Sequence, residues 1–153
     1  MLKTIIAAQN ANGLRHRDYG RYRQYCARRL ARLRQNLNFK HGRKQFVAKE
    51  ITANNATDVR FLHILLVNAE RAWSYATQMK QEGFESTSRS KFHIRSRLAK
   101  AVKWAEKLKH VASVVGDSRT ALDTEAYTLW MQANFLLETE DFAKALEFFS
   151  KSK

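Results

Sequence analysis

Not one proline interrupts this chain of 153 residues, and only five glycines are available for sharp turns. A β-rich fold needs a turn signal every few residues, so the chain is poorly supplied for one and well supplied for long helices. The apolar residues agree, because they recur at intervals of three and four. Leu2, Ile5, Ile6 and Gln9 predict a first helix over 2–12, stopped near Gly13. Asp18 is placed to cap a second helix that runs to about Asn36. Residues 37–56 lose periodicity and read as a long loop of the kind that is usually functional or mobile.

A third helix is expected over 57–82, with Leu62, Leu65, Leu66, Ala69, Ala72, Trp73, Ala76 and Met79 on one face. Gly83 to Ser88 makes the next break, with Ser88 as the candidate cap. The fourth helix, 89–114, turns Ile94, Leu98, Ala101, Val102, Ala105 and Leu108 inward with Trp104 at its edge. Gly116 and Asp117 separate it from a fifth helix over 118–138, and a sixth begins at about Asp141. The expectation is one all-α domain over 1–153, built of antiparallel helical hairpins with about six helices.

Its last two helices resemble a tetratricopeptide-type unit. Asp141 and Phe142 open the second of them, Ala145 and Phe149 follow four residues apart, and Ala133 offers a small contact opposite. Ordinary antiparallel packing explains the same pattern, so both readings stay open. Under either, Phe142, Phe148, Phe149, Trp130 and Trp104 are expected in the core rather than at a ligand.

The net charge is +14, and its distribution says more than its size. Residues 1–49 hold thirteen Lys or Arg against one acid, Asp18, and so carry +12 of the total. A surplus of this kind favours polyanions through counterion release. Between Arg15 and Arg34 there are eight arginines and no lysine. On a helical wheel Tyr19, Tyr22, Cys26, Leu30, Leu33 and Leu37 form an apolar stripe, and Arg17, Arg21, Arg28 and Arg32 gather on the opposite side. Arg23, Arg29 and Arg34 flank the stripe, where their stems can cover apolar surface.

A merely solvated face normally mixes signs, and residues 19–49 contain no acid at all. A membrane-surface helix would expose its apolar face, which here is needed to hold the domain together. The planar guanidinium makes forked bonds to phosphate and guanine edges and stacks on bases. A helix fits an RNA major groove only where bulges or internal loops widen it, so irregular, structured RNA is the expected ligand. Lys40, Arg43 and Lys44, with His41, form a second basic cluster placed to clamp the flanking backbone. Phe39 and Phe46 are candidates for base stacking, with Phe39 equally suited to capping the core.

Two segments then carry a family resemblance. Leu14 to Arg29 (L-R-H-R-D-Y-G-R-Y-R-Q-Y-C-A-R-R), followed by L-N-F-K at Leu37 to Lys40, resembles the RNA-binding domain of the 68-kilodalton protein of the signal recognition particle. A-E-R-A-W-S-Y-A, from Ala69 to Ala76, is similar to a second signature of that family. The resemblance implies a tetratricopeptide-like module that binds the particle's RNA near a three-way junction, with the arginine-rich helix in a widened major groove, bending and remodelling the RNA. It implies RNA contacts from Arg15, Arg17, Arg21, Arg23, Arg28, Arg29, Arg32, Arg34 and Lys40, while Ala31 and Gln35 stand where the family pattern often carries further basic residues. It also implies a longer protein of which this is the N-terminal part, a 72-kilodalton partner subunit bound through a region outside this chain, proximity to the ribosome, and cytoplasmic function after nucleolar assembly.

No other chemistry competes. His16, His41, His63, His93 and His110 lack metal-ligand spacing, and no cofactor is expected. Cys26, the only cysteine, leaves no internal disulfide and reads as a buried small hydrophobe in a reducing compartment. Glu138, Glu140 and Asp141 suit helix capping better than acid/base work. No apolar run is long enough to insert in a membrane, and no residues support an enzyme. The rival expectation is a helical-repeat scaffold that sets the same basic face against an acidic partner.

Overall fold

The computed structural model describes residues 1–39, 47–83 and 87–153. Its elements are α1 (Leu2–Ala11), a 3-10 turn at Leu14–His16, α2 (Tyr19–Asn36), α3 (Val59–Gln81), α4 (Ser88–Val115), α5 (Ser118–Glu138) and α6 (Phe142–Lys151). No strand occurs among the described residues. Helices α2 to α6 pack in sequence, each on the one before it.

Five helices start on a side-chain cap. Asp18, Thr87, Asp117 and Asp141 each accept from the backbone N–H three residues on, and Asp58 accepts from Arg60. Thr87 takes the role expected of Ser88, which is already the first helical residue, because the threonine has the extended backbone that a cap requires. Gly116 and Asp117 make the short α4–α5 connection, and Glu140, in the left-handed region at φ 68°, makes that of α5–α6.

Helix α3 is the centre of the molecule: of its 23 residues, thirteen are buried. It receives α2 on one side and α4 on the other. Tyr22, Cys26, Leu30 and Leu33 seat α2 on it, each buried, and full burial of such a side chain contributes roughly 1.5–3 kcal/mol. The alanine-rich signature at Ala69 to Ala76 has a plain physical reason. Ala69 and Ala76 are 0 % exposed and Ser74 is 0 %, which lets neighbouring helices approach closely.

Glu70 lies at the heart of that signature, 1 % exposed. It accepts hydrogen bonds from the Tyr22 hydroxyl at 2.6 Å, the Tyr127 hydroxyl at 2.6 Å and Gln9 Nε2 at 2.8 Å. One carboxylate therefore joins α1, α2, α3 and α5. Burial pushes its pKa up, and the three donors oppose that rise.

Helix α6 departs from expectation. Ala145 of α6 and Ala133 of α5 are both buried and α6 packs on α5, which the repeat pattern and ordinary antiparallel packing both expect. Phe142 is 62 % exposed instead of buried, because α6 has its main packing on α5 alone and buries Ala145 there. Phe148 and Phe149 are half-buried, and Trp130 packs on Trp73 with ring centroids 5.3 Å apart.

Candidate nucleic-acid interface

The approach to α2 is a tight turn that only glycine permits. Gly13 has φ 118°, and a Cβ there would lie 2.8 Å from the Asp18 carbonyl oxygen. Its own carbonyl accepts from His16 N–H and Asp18 N–H, both at 3.0 Å, which folds Arg15 and His16 into a knob in front of the helix. Asp18 then caps α2, accepting from Arg21 N–H at 2.8 Å. Gly20 allows α2 to cross close to Gln78 of α3, where a Cβ would meet the amide nitrogen at 3.3 Å.

This geometry corrects the position of Arg17. The wheel assumes helix through that residue, yet Arg17 sits in the left-handed region at φ 57° and ends the 3-10 turn. It is exposed, and it lines a cleft with Thr77, Lys80 and Glu138 at the ends of α3 and α5. The exposed row on α2 itself is Arg21, Arg28 and Arg32, with Gln24, Ala31 and Gln35 beside it.

The flanking arginines are half-buried, as their places on the wheel require. Arg23 donates from Nε to Gln78 Oε1 at 2.8 Å and lies over the Tyr75 ring, 4.6 Å from its centroid. Arg29 donates to the Tyr25 hydroxyl at 3.3 Å. Arg34 buries its Nε with no hydrogen-bond partner among the described residues. Burial and, next to it, the Arg71 charge lower its pKa.

None of the eight arginines from Arg15 to Arg34 forms an ion pair among the described residues. The row is a rigid, unneutralised cationic ridge, because its opposite face is locked into the core. Such a ridge attracts a close anionic lattice and gains most from one whose phosphates match its spacing.

Cys26 is 1 % exposed, and burial, followed by the Glu70 charge, pushes its thiol up to about 12. It is therefore a packing residue. Phe39 stands edge-on to Phe61 at 5.7 Å, the core-capping role. Lys40, His41, Arg43, Lys44 and Phe46 lie outside the described residues. Burial, then the nearby Arg29 charge, lowers the pKa of His63. No group of acids, histidines and cysteines among the described residues could hold a metal ion, and no described helix is long and apolar enough to cross a membrane.

Three further cations were hidden in the sequence. Arg71 of α3 and Arg97 and Lys100 of α4 line a groove beside α2 with Arg23. Helix α4 carries a single acid, Glu106, which accepts from Gln132 at 3.1 Å. In the sequence, the signal for this groove is the outward pair within the alanine-rich signature, Arg71 and Tyr75.

Comparison with known proteins agrees with this architecture. Residues 14–153 match the family described as RNA-binding signal recognition particle 68. A signal recognition particle subunit SRP68 from Dictyostelium discoideum is 40% identical over 148 residues, covering 92% of this chain and 24% of that protein. The subunit from Drosophila melanogaster is 38% identical over 159 residues, covering 100% of this chain and 26% of its own length. The chain thus spans about a quarter of these relatives. The structure of the SRP68-RBD from Chaetomium thermophilum superposes with a TM-score of 0.84 at 27% identity, covering 99% of this chain and 78% of that one. On the family match, the identities and the shared fold together, this chain belongs to the RNA-binding signal recognition particle 68 family, which is a family of RNA-binding subunits and not of enzymes.

Proposed function

We propose that this chain binds structured signal recognition particle RNA through the ridge of α2. The observation that carries the reading is the row Arg21, Arg28 and Arg32, exposed and without ion pairs among the described residues, on a helix whose other face is buried. Arg15 and Arg17 extend the contact from the preceding turn, and Arg23, Arg29 and Arg34 reach it from the flanks. Lys40, Arg43 and Lys44 complete the set from the following segment. Affinity comes from guanidinium–phosphate bonds, and selectivity from the irregular RNA shape that admits a helix.

The finer address follows the family: a site near the three-way junction, a widened major groove and a bend in the RNA. The chain would serve co-translational targeting from the cytoplasm after nucleolar assembly, as the RNA-binding part of a longer protein whose other regions meet the 72-kilodalton subunit and the ribosome. A chemical footprint of this chain on the particle's RNA tests the address. Protection clustered at the junction is the expected result; protection spread evenly along regular helices would overturn it. An acidic peptide that displaces the RNA at equal charge would instead favour a protein-binding scaffold.

A further inference from the structure

Two adjoining clefts, of about 250 and 330 Å³, run side by side between α2 and α4 and share Asn68, Arg71, Lys100 and Trp104. Together they form one continuous groove floored by α3. Each helix presents a row to it at helical spacing: Arg23, Ala27 and Arg34 from α2, Asn68, Arg71 and Tyr75 from α3, and Arg97, Lys100, Trp104 and Lys107 from α4. The α4 row alone spans about 15 Å at a rise of about 1.5 Å per residue, room for a few extended nucleotides.

The charge in this groove is one-sided. Arg23, Arg34, Arg71, Arg97 and Lys100 have no ion pair among the described residues. The one carboxylate among the described lining residues is Glu50, at the far mouth, where it accepts from Lys107 at 2.9 Å. Two guanidiniums crowd the same ring: Arg23 at 4.6 Å and Arg97 at 4.9 Å from the Tyr75 centroid. Both add positive charge at this wall of the groove, which an anion held in the groove would neutralise. Trp104 is half-buried within the basic row, and Lys107 lies over its ring 5.6 Å from the centroid, so a base that stacks on that face takes the place of the ammonium. Basic residues tracking a backbone beside an aromatic platform are the recurrent design for unpaired nucleic acid. An acidic peptide would use the charges but has no need of the indole face.

We propose that the groove between α2 and α4 is a second RNA site, which takes an unpaired strand with a base stacked on Trp104 and phosphates held by Arg71, Arg97 and Lys100. It rests on the reading that α2 grips structured RNA, and it adds a distinct element: the groove reads single-stranded RNA continuing from the structured part. Arg23 and Arg34 link the two surfaces, since they lie on the flank of α2 that turns to the groove.

The test compares a bulged RNA hairpin carrying a tail of about ten uridines with the same hairpin lacking the tail. A third probe carries an abasic tail of equal length, and polyglutamate serves as an acidic competitor. The uridine tail is expected to raise wild-type affinity roughly tenfold, the scale of one stacked base with its phosphates. Arg71→Gln/Arg97→Gln/Lys100→Gln should lose that gain while binding the tailless hairpin as wild type does. Trp104→Leu should lose the difference between uridine and abasic tails and keep the part that both share. Unchanged helical circular dichroism and unchanged tailless binding show that these variants are folded. No gain from the tail, a gain that survives the groove substitutions, or capture of polyglutamate in preference to the tail overturns the proposal. Failure of the α2 reading looks different: Arg21→Gln/Arg28→Gln/Arg32→Gln would then bind the tailless hairpin like wild type.

Discussion

The Tyr22 hydroxyl donates a 2.6 Å hydrogen bond to the Glu70 carboxylate inside the core, tying the arginine-bearing helix to the centre of the fold. The bond lies opposite the exposed ridge, so it fixes both the rotation of α2 and the direction in which Arg21, Arg28 and Arg32 project. Tyr127 donates to the other carboxylate oxygen, also at 2.6 Å, so α5 shares the same anchor.

Removing that anchor should weaken the fold. Tyr22→Phe leaves one fewer donor on a buried acceptor and is expected to cost about 1–3 kcal/mol. Glu70→Ala strands two buried hydroxyls and opens a cavity, and it should cost more than Tyr22→Phe in urea unfolding. Equal stability of Glu70→Ala and wild type would show that the network is not a structural tie.

Glu70 also gives stability a distinctive pH dependence. Its folded pKa is raised, chiefly by burial. A raised value means that the group's contribution is fully present below its unfolded pKa and is lost as pH rises through the folded pKa. The capping carboxylates Asp58, Asp117 and Asp141 are shifted down by their hydrogen bonds and act in the opposite sense, losing stability in acid. The difference in unfolding free energy between wild type and Glu70→Gln isolates the first effect. It should move against wild type as pH rises above the ordinary carboxylate range, and a difference independent of pH would contradict the assignment.

Gly13→Ala tests the turn in front of α2. With φ at 118° and a backbone oxygen 2.8 Å from the new Cβ, the turn must rearrange. A loss of about 1–3 kcal/mol is expected, together with weaker RNA binding as Arg15 and Arg17 shift. A melting temperature and an affinity equal to wild type would remove the turn from the account.

Cys26 should resist thiol reagents in the native state. With 1 % exposure and a thiol pushed up to about 12, it reacts only through opening of the fold. Labelling should therefore accelerate with urea in step with unfolding, and rapid native labelling would place the thiol outside the core.

Much of this was legible in the sequence because α2 is strongly amphipathic. Tyr22, Cys26, Leu30 and Leu33 are buried, and Arg23, Arg29 and Arg34 are the half-buried flanks that the wheel predicts. Arg17 was misplaced because a wheel assumes an unbroken helix, whereas Gly13 starts a turn that ends in a left-handed residue. Phe142 was misplaced because periodicity identifies an apolar face and not what covers it. The groove escaped because its cations come from three helices that are far apart along the chain. Only the packing of α4 on α3 brings Lys100 beside Arg71.

The most direct measurement is the salt dependence of RNA affinity for wild type and for Arg21→Gln/Arg28→Gln/Arg32→Gln. Each neutralised phosphate contributes about 0.7–0.9 to the slope of log affinity against log salt. The triple variant should lose roughly 2–3 from that slope and bind roughly a hundredfold more weakly at moderate salt, with its helical signal intact. An unchanged slope and affinity in a folded variant would contradict the claim that this ridge holds the RNA.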